Sequence, residues 1–220
     1  MLASSAIIQD IDTMRRAGVV SLAYFYCDLR DDKKDLRGLV SSLIVQLSNQ
    51  SDSYYDMVTE FYSEHVEGSH YPSDAGLVKC LEGILKLPGQ NPVYLIVDAL
   101  DECPTISDMP SAREKVLMLV KQLTTSKYPN LRICVTSRLE PDLSVVLGPL
   151  SFRSISLHQE SEQKEDIASY IRSVVHTDPK MQTWRADDKQ LVVDTLTQKV
   201  DGIDGMYVVM PWAYSNLADT

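Results

Sequence analysis

Residues 93–103, VYLIVDALDEC, constrain this chain more than any other stretch. Residues 93–97 are apolar apart from the phenol of Tyr94, a run too short for a helix. Pro88-Gly89 and Pro92 bound it on one side and an acidic cluster bounds it on the other. That pattern predicts a buried parallel strand. At its carboxyl end come Asp98, the small Ala99, apolar Leu100, then Asp101 and Glu102. Carboxylates in that place sit where open α/β sheets bind ligands. Three acids within five residues repel one another unless a cation or a solvated loop relieves them. A solvated acidic turn and a ligand-facing loop are thus both open, and the strand ahead favours the second.

The rest of the chain supplies the partners such a strand needs. Residues 2–14 space Leu2, Ala6, Ile7, Ile11 and Met14 as a helix does, and Gly18 ends that segment. Residues 19–26 (VVSLAYFY) read as a strand buried on both faces. After the polar loop 28–35, residues 36–47 put Leu36, Leu39, Val40, Leu43, Ile44 and Leu47 on one helical face. A third helix over 51–65 is expected, capped by Asp52 or Ser53, with Tyr54, Val58, Phe61 and Tyr62 inward. Beyond the loop 68–73, Ser73 or Asp74 caps a fourth, with Leu77, Val78, Leu81, Ile84 and Leu85 buried. After a loop at 104–110, Ser111 opens a long helix, and Glu114 completes a capping box. LRICV (131–135) and residues 152–157 predict two further strands. Helices follow at 162–175, 178–184 and 186–200. Strands alternating with helices imply crossovers and a mostly parallel sheet, so the fold class is α/β.

Composition narrows the partners. A net charge of −10 argues against a nucleic-acid partner, which clustered Lys and Arg would attract. No apolar run approaches the roughly 18 residues that span a bilayer. The N-terminus, MLASSAIIQDIDTMRR, has no basic region ahead of its apolar residues, so it does not read as a secretory signal. Cys27, Cys80, Cys103 and Cys134 are far apart with no CxxC, which predicts reduced structural thiols in a cytoplasmic protein. His65 and His70 have no thiolate nearby, and no metal site is expected there.

The stretch 93–103 resembles the Walker B motif of the NACHT family of signal-transduction NTPases, four apolar residues followed by D-[GAS]-h-D-E. The resemblance implies that Asp98 holds Mg²⁺ and that Asp101, with Glu102 second, orients the attacking water. It implies that Arg138, just past the LRICV strand, senses the terminal phosphate of ATP or GTP; the alternative is an ion pair with an acid of the 98–102 cluster. Three further segments, AYFYCDLRDDKKDLRGLVSSLIVQLS, ICVTSR and SLHQESEQKEDIASYI, resemble fungal NACHT proteins with a nephrocystin-type N-terminal module. The likeness runs from Leu2 to about Gly205. It implies a core over residues 1–158, a helical lid over 159–220, and a parent chain carrying repeats. Such proteins act as nucleotide-switched, self-assembling sensors, so protein partners are implied.

Against that pattern, no GxxxxGK[ST] occurs in the 220 residues, and Ser4 and Ser5 follow no Gly-Lys. The family places that loop just ahead of a segment like LASSAIIQDI, so the chain is expected to be an interior fragment. The loop gives phosphates several backbone N–H groups, a lysine and a helix dipole. Charge-assisted hydrogen bonds are worth roughly 1.5–3 kcal/mol each. Losing three or four approaches the ~8 kcal/mol of micromolar binding, so the chain is expected to bind ATP poorly. In the family's strand order the missing strand is central, between those at 131–135 and 152–157. Direct pairing of these two, or an open apolar edge, is therefore expected. The end of the chain departs too, adding Pro211-Trp212 after Gly205-Met206-Tyr207. Two other readings stand beside the signalling NTPase: a non-catalytic remnant or decoy that binds full-length relatives, and an unrelated α/β enzyme using the acids for a metal.

Overall fold

A left-handed Gly18 (φ 73°) sets the first boundary. Helix α1 (Leu2–Arg16) closes there: Gly18 N–H donates to Arg15 C=O at 2.9 Å and Val19 N–H to Met14 C=O at 3.2 Å. This pair of bonds is the Schellman closure, which glycine adopts without a Cβ penalty. Strand β1 (Ser21–Tyr26) begins two residues later than the apolar run implied, and Val19 is half exposed. The computed structural model describes residues 2–28, 35–66, 71–105, 110–126, 128–138, 140–150, 153–156, 161–177, 181–182, 184–199 and 207–210.

Helix starts follow local chemistry. Asp35 caps α2 (Leu36–Ser48), its carboxylate accepting from Gly38 N–H at 2.8 Å, and Leu39, Val40, Leu43, Ile44 and Leu47 are buried as expected. Helix α3 (Asp52–Val66) lies one residue along from the expected 51–65, and Ser51, rather than Asp52 or Ser53, precedes its first turn, Tyr54 and Tyr55 N–H both donating to Ser51 C=O. Tyr54 is core, but Tyr62, expected inside, is exposed. Ser73 rather than Asp74 caps α4 (Asp74–Lys86), accepting from Gly76 N–H at 3.1 Å. A Cβ on Gly83 would lie 2.9 Å from Met57 Sδ, so the glycine admits α3 close to α4. The capping box of α5 (Ala112–Thr125) has both halves, Ser111 Oγ accepting from Glu114 N–H and Glu114 Oε2 from Ser111 N–H. The Ser111 backbone N–H, and after it the Ser111 side chain, hold the Glu114 carboxyl below its ordinary pKa.

Strands β2 (Val93–Asp98) and β3 (Leu131–Ser137) confirm the predicted runs and extend them by one and two residues. β1, β2 and β3 are parallel, with Ser21 opposite Val93, Tyr26 opposite Asp98, and Val97 opposite Val135. The architecture is α/β. Helix α2 packs on β1 and against α3, α4 and α5, and α1 lies on β1 and β2. Leu43, Ile44, Leu81, Ile84, Leu95 and Ile96 are fully buried, each worth roughly 1.5–3 kcal/mol of burial.

Past β3 the structure adds elements. Helix α6 (Pro141–Leu147) was not foreseen; Pro141 occupies its first turn and Leu143 and Leu147, four apart, are buried. β4 (Arg153–Ser156), α7 (Ser161–Thr177) and α8 (Ala186–Lys199) lie close to the expected strand and helices. Of the helical piece expected at 178–184, residues 181 and 182 form a turn, while 178–180 and 183 lie outside the described residues. The sheet order is β1-β2-β3-β5-β4, where β5 is Tyr207–Met210. This corrects the expectation for the slot: β3 and β4 neither pair directly nor leave an edge open, because β5 lies between them. His70, Pro211, Trp212 and, of the expected loops, residues 29–34, 68–70 and 106–109 lie outside the described residues. Contacts group the chain into two units, residues 1–154 with 208–220, and residues 155–207. In the second unit α7 packs on α8, with Ala168, Val175 and Val193 buried. No described helix is long and apolar enough to cross a membrane.

β1 is the outer strand, and Gln46 of α2 and Gln50, in the turn just past its end, cover its free edge. Gln50 accepts from Leu22 N–H at 2.9 Å and donates to Leu22 C=O at 2.6 Å. Gln46 does the same for Tyr24, at 3.1 and 2.7 Å. Two amides four residues apart, one in the last turns of a helix and one just past its end, thus stand in for a missing strand. Replacing both with alanine should leave four backbone groups open to another chain. Light scattering should then show a larger association state than for the parent protein; unchanged scattering would mean that the helix body alone shields the edge.

Candidate functional site

The acidic loop follows from the register of the central strands. Val97 lies opposite Val135, which brings Asp98 beside Thr136. Asp98 is 1% exposed, and the buried Thr136 hydroxyl donates to Asp98 Oδ1 while accepting from Ala99 N–H at 3.0 Å. One hydroxyl therefore orients the carboxylate and fixes the first peptide of the loop. Cys27 N–H donates to Asp98 C=O at 2.9 Å and extends the β1–β2 ladder to the same point.

Ala99 then turns left-handed, at φ 54° and ψ 48°, and leads into a 3₁₀ turn, Leu100–Glu102. For a residue with a Cβ this conformation costs roughly 1–2 kcal/mol. Ala99→Gly is expected to raise stability by about 1 kcal/mol in urea unfolding, and Ala99→Val to lower it by more than that. Equal stability of all three would show that the loop re-forms around the side chain. The turn buries Leu100 and directs its two acids differently. The Asp101 carboxylate is 6% exposed; its Oδ1 accepts from Arg138 N–H at 2.9 Å and its Oδ2 lies 3.5 Å from Arg138 Nε. Glu102 is half-buried, and its carboxylate makes no ion pair among the described residues.

Of the four residues picked from the sequence, Asp98, Asp101, Glu102 and Arg138 therefore share one loop cluster, and two of them are bound to each other. Arg138 makes the ion pair that was its alternative reading. Its side chain is 66% exposed, so the pair contributes little, about 0–1 kcal/mol.

Two residues were missed. Thr136 carries no local signal, because its role depends on cross-strand register. Arg113 is the other: it is 7% exposed and collects acceptors from two segments. Its Nε donates to Cys103 C=O at 3.2 Å, and its Nη2 to Asp101 C=O. Its Nη1 meets the Glu140 carboxylate and lies 3.3 Å from Asp142 Oδ2. Arg113 thus ties the acidic loop to the start of α6. A signal was present: Arg113 lies in the first turn of α5, where the helix dipole disfavours a cation.

All four cysteines are buried and unbridged. Cys27 Sγ and Cys103 Sγ lie 3.0 Å apart directly behind the loop. Their shared hydrogen bond pushes the Cys27 thiol up and the Cys103 thiol down, and the Arg113 charge adds to the second effect. Burial pushes Cys134, on the strand behind Asp98, up to about 12. A polar cavity of about 450 Å³ lies at the opposite, amino end of β1, lined among others by Gln50, Tyr54, Gln90 and Asn91. Its amides are spent inside the protein, Gln90 on Tyr54 and Leu85 C=O, Asn91 on Gly18 C=O. The acidic loop is therefore the better candidate.

No solved structure matches the chain. The chain is 27% identical over 146 residues to the vegetative incompatibility protein HET-E-1 of Podospora anserina, a match covering 64% of this chain and 10% of that protein. It spans about a tenth of the length of that curated relative. The family model described as Nephrocystin 3, N-terminal, matches residues 1–138, which hold β1 to β3 and the whole acidic loop. The chain belongs to the nephrocystin 3 N-terminal family.

Proposed function

We propose that this chain carries the metal-and-water side of a nucleotide-switched signalling NTPase of the NACHT type, and that these 220 residues by themselves bind Mg-ATP weakly or not at all. The observation that carries the reading is the buried Asp98 at the carboxyl end of a central parallel strand, oriented by Thr136, one turn from Glu102, which makes no ion pair among the described residues. Asp98 is the acid for Mg²⁺. Mg²⁺ commonly takes one or two protein carboxylates and completes its shell with water and substrate phosphates. Among the described residues no three metal-capable side chains gather, which suits an ion held jointly with nucleotide. When bound, the ion would neutralise charge on the phosphates. Glu102 takes the water-positioning role ahead of Asp101, whose carboxylate is engaged by Arg138. Arg138 reads the terminal phosphate by leaving Asp101, an exchange that the small worth of an exposed pair allows. The fungal relative, a vegetative incompatibility protein by name, supports a place in non-self recognition.

A second reading, a non-catalytic module that binds related chains, is favoured by one observation. The sheet is continuous from β1 to β4, with β5 in the position where the family resemblance puts the phosphate-loop strand.

Calorimetric titration of the folded chain with Mg-ATP tests both, with Arg138→Ala as control. No heat at millimolar nucleotide is the expected result. Adding a GxxxxGKT strand and loop ahead of Leu2 should then restore binding; failure of that extended chain would remove the NTPase reading. Micromolar binding by the parent chain that weakens in Arg138→Ala would overturn the prediction of weak binding and leave the switch reading standing.

A further inference from the structure

Cys27 and Cys103 are 76 residues apart in sequence, yet they meet behind the acidic loop with their sulfurs 3.0 Å apart. A disulfide bond is about 2.05 Å long, so closure needs roughly one ångström of approach. Each cysteine sits at a fixed point of the backbone. Cys27 is the first residue after β1, tied by its N–H to Asp98 C=O at 2.9 Å. Cys103 ends the 3₁₀ turn, its N–H donating to Leu100 C=O at 3.1 Å and its own C=O held by Arg113. The thiols are 3% and 1% exposed. Their chain neighbours Asp28, Glu102 and Pro104 are half-buried, so the pair lies just beneath the surface.

We propose that Cys27 and Cys103 form a reversible disulfide under peroxide, a modification site that staples the acidic loop to the end of β1. The inference does not depend on the nucleotide reading. The oxidant is a small hydroperoxide, whose size suits a covered pair. Written with Cys103 first, its sulfur attacks one peroxide oxygen, the O–O bond breaks, and a sulfenic acid and one water form. The Cys27 sulfur then attacks the Cys103 sulfur, the S–O bond breaks, and a second water leaves with the thiol proton. Two thiols lose two electrons and two protons in total, and one hydrogen peroxide becomes two waters. The reverse order of the two sulfurs balances in the same way. A dithiol reductant reopens the bond by thiol–disulfide exchange.

The crosslink changes what the loop can do. With both thiols free, the segment from Asp98 to Cys103 is held by hydrogen bonds that open locally. With the bond formed, that segment is fixed covalently at its far end, and the stretch between the cysteines, 76 positions apart, becomes a closed loop in the unfolded chain. Closing a loop of that length is stabilising, and the expected rise in the thermal midpoint is about 10 °C.

The test uses the reduced 220-residue chain, treated with hydrogen peroxide under native conditions, then unfolded and alkylated. Peptide mapping without reductant should show a single intramolecular link joining the peptides of Cys27 and Cys103, with Cys80 and Cys134 alkylated. The thermal midpoint should rise, and dithiothreitol should reverse both changes. Cys27→Ser should abolish the rise. The mapping on the parent chain decides the matter even where that variant is unstable. Recovery of both cysteines as alkylated thiols, pairing of either with Cys80 or Cys134, or links only between chains would overturn the proposal.

Discussion

Arg113→Ala is expected to lower stability by about 3 kcal/mol, the largest effect of any single charged residue in the acidic-loop cluster. The cost has two parts. The Asp101 and Cys103 carbonyls lose a buried charged donor, and an unsatisfied buried acceptor costs roughly 1–3 kcal/mol. The Glu140 and Asp142 side chains lose their cation too, but they are 37% and 52% exposed, so water takes over most of that interaction. For a chain of this length about 3 kcal/mol lowers the melting midpoint by roughly 10 °C. Circular dichroism melting of the variant checks it. Arg113→Lys should fall between the two, because one ammonium cannot serve acceptors arrayed around a planar fork. A midpoint for Arg113→Ala within 2 °C of the parent would mean that the network is solvated and contributes little.

Leu100→Ala should cost a similar or greater amount, about 2–5 kcal/mol, by removing a wholly buried side chain from beneath the 3₁₀ turn. Its position makes it informative beyond stability. Leu100 is flanked by Ala99, already held left-handed, and by Asp101, bound to Arg138. A cavity there should loosen both. Urea unfolding gives the stability, and amide exchange at Arg138, whose N–H donates to Asp101, reports the loosening. Leu100→Met, which nearly conserves volume, should cost less than about 1.5 kcal/mol. Equal loss for both variants would point to the shape of leucine rather than to cavity volume.

What the sequence disclosed and what it hid divide along physical lines. The capping box at Ser111 and Glu114 was legible because both partners lie within one helical turn. The central strands were legible because apolar runs between prolines and acids have few other solutions. Thr136 was hidden because its partner, Asp98, is 38 residues away and only the β2–β3 register joins them. Cys27 and Cys103 were hidden for the same reason. Helix α6 went unseen because seven residues carry too little periodicity, although Pro141 at its start was a usable sign. Strand β5 was missed because a four-residue segment declares no partner; its place in the sheet is a property of the assembled fold. The pairing of Asp101 with Arg138 was anticipated as one of two alternatives, and geometry resolved which acid took part.

The glutamines along β1 also limit how this chain can drift. Each amide both donates and accepts, and no other side chain of that length does the same. Glutamate, one base change away in the codon, keeps the shape but has no N–H to offer. At position 46 it would set a carboxylate against the Tyr24 carbonyl, and at position 50 against that of Leu22. A substitution that a size-and-polarity comparison scores as mild would open the side of the sheet to neighbouring molecules. The fold therefore carries two sites whose cost of change would be paid in solubility, far from the acidic loop.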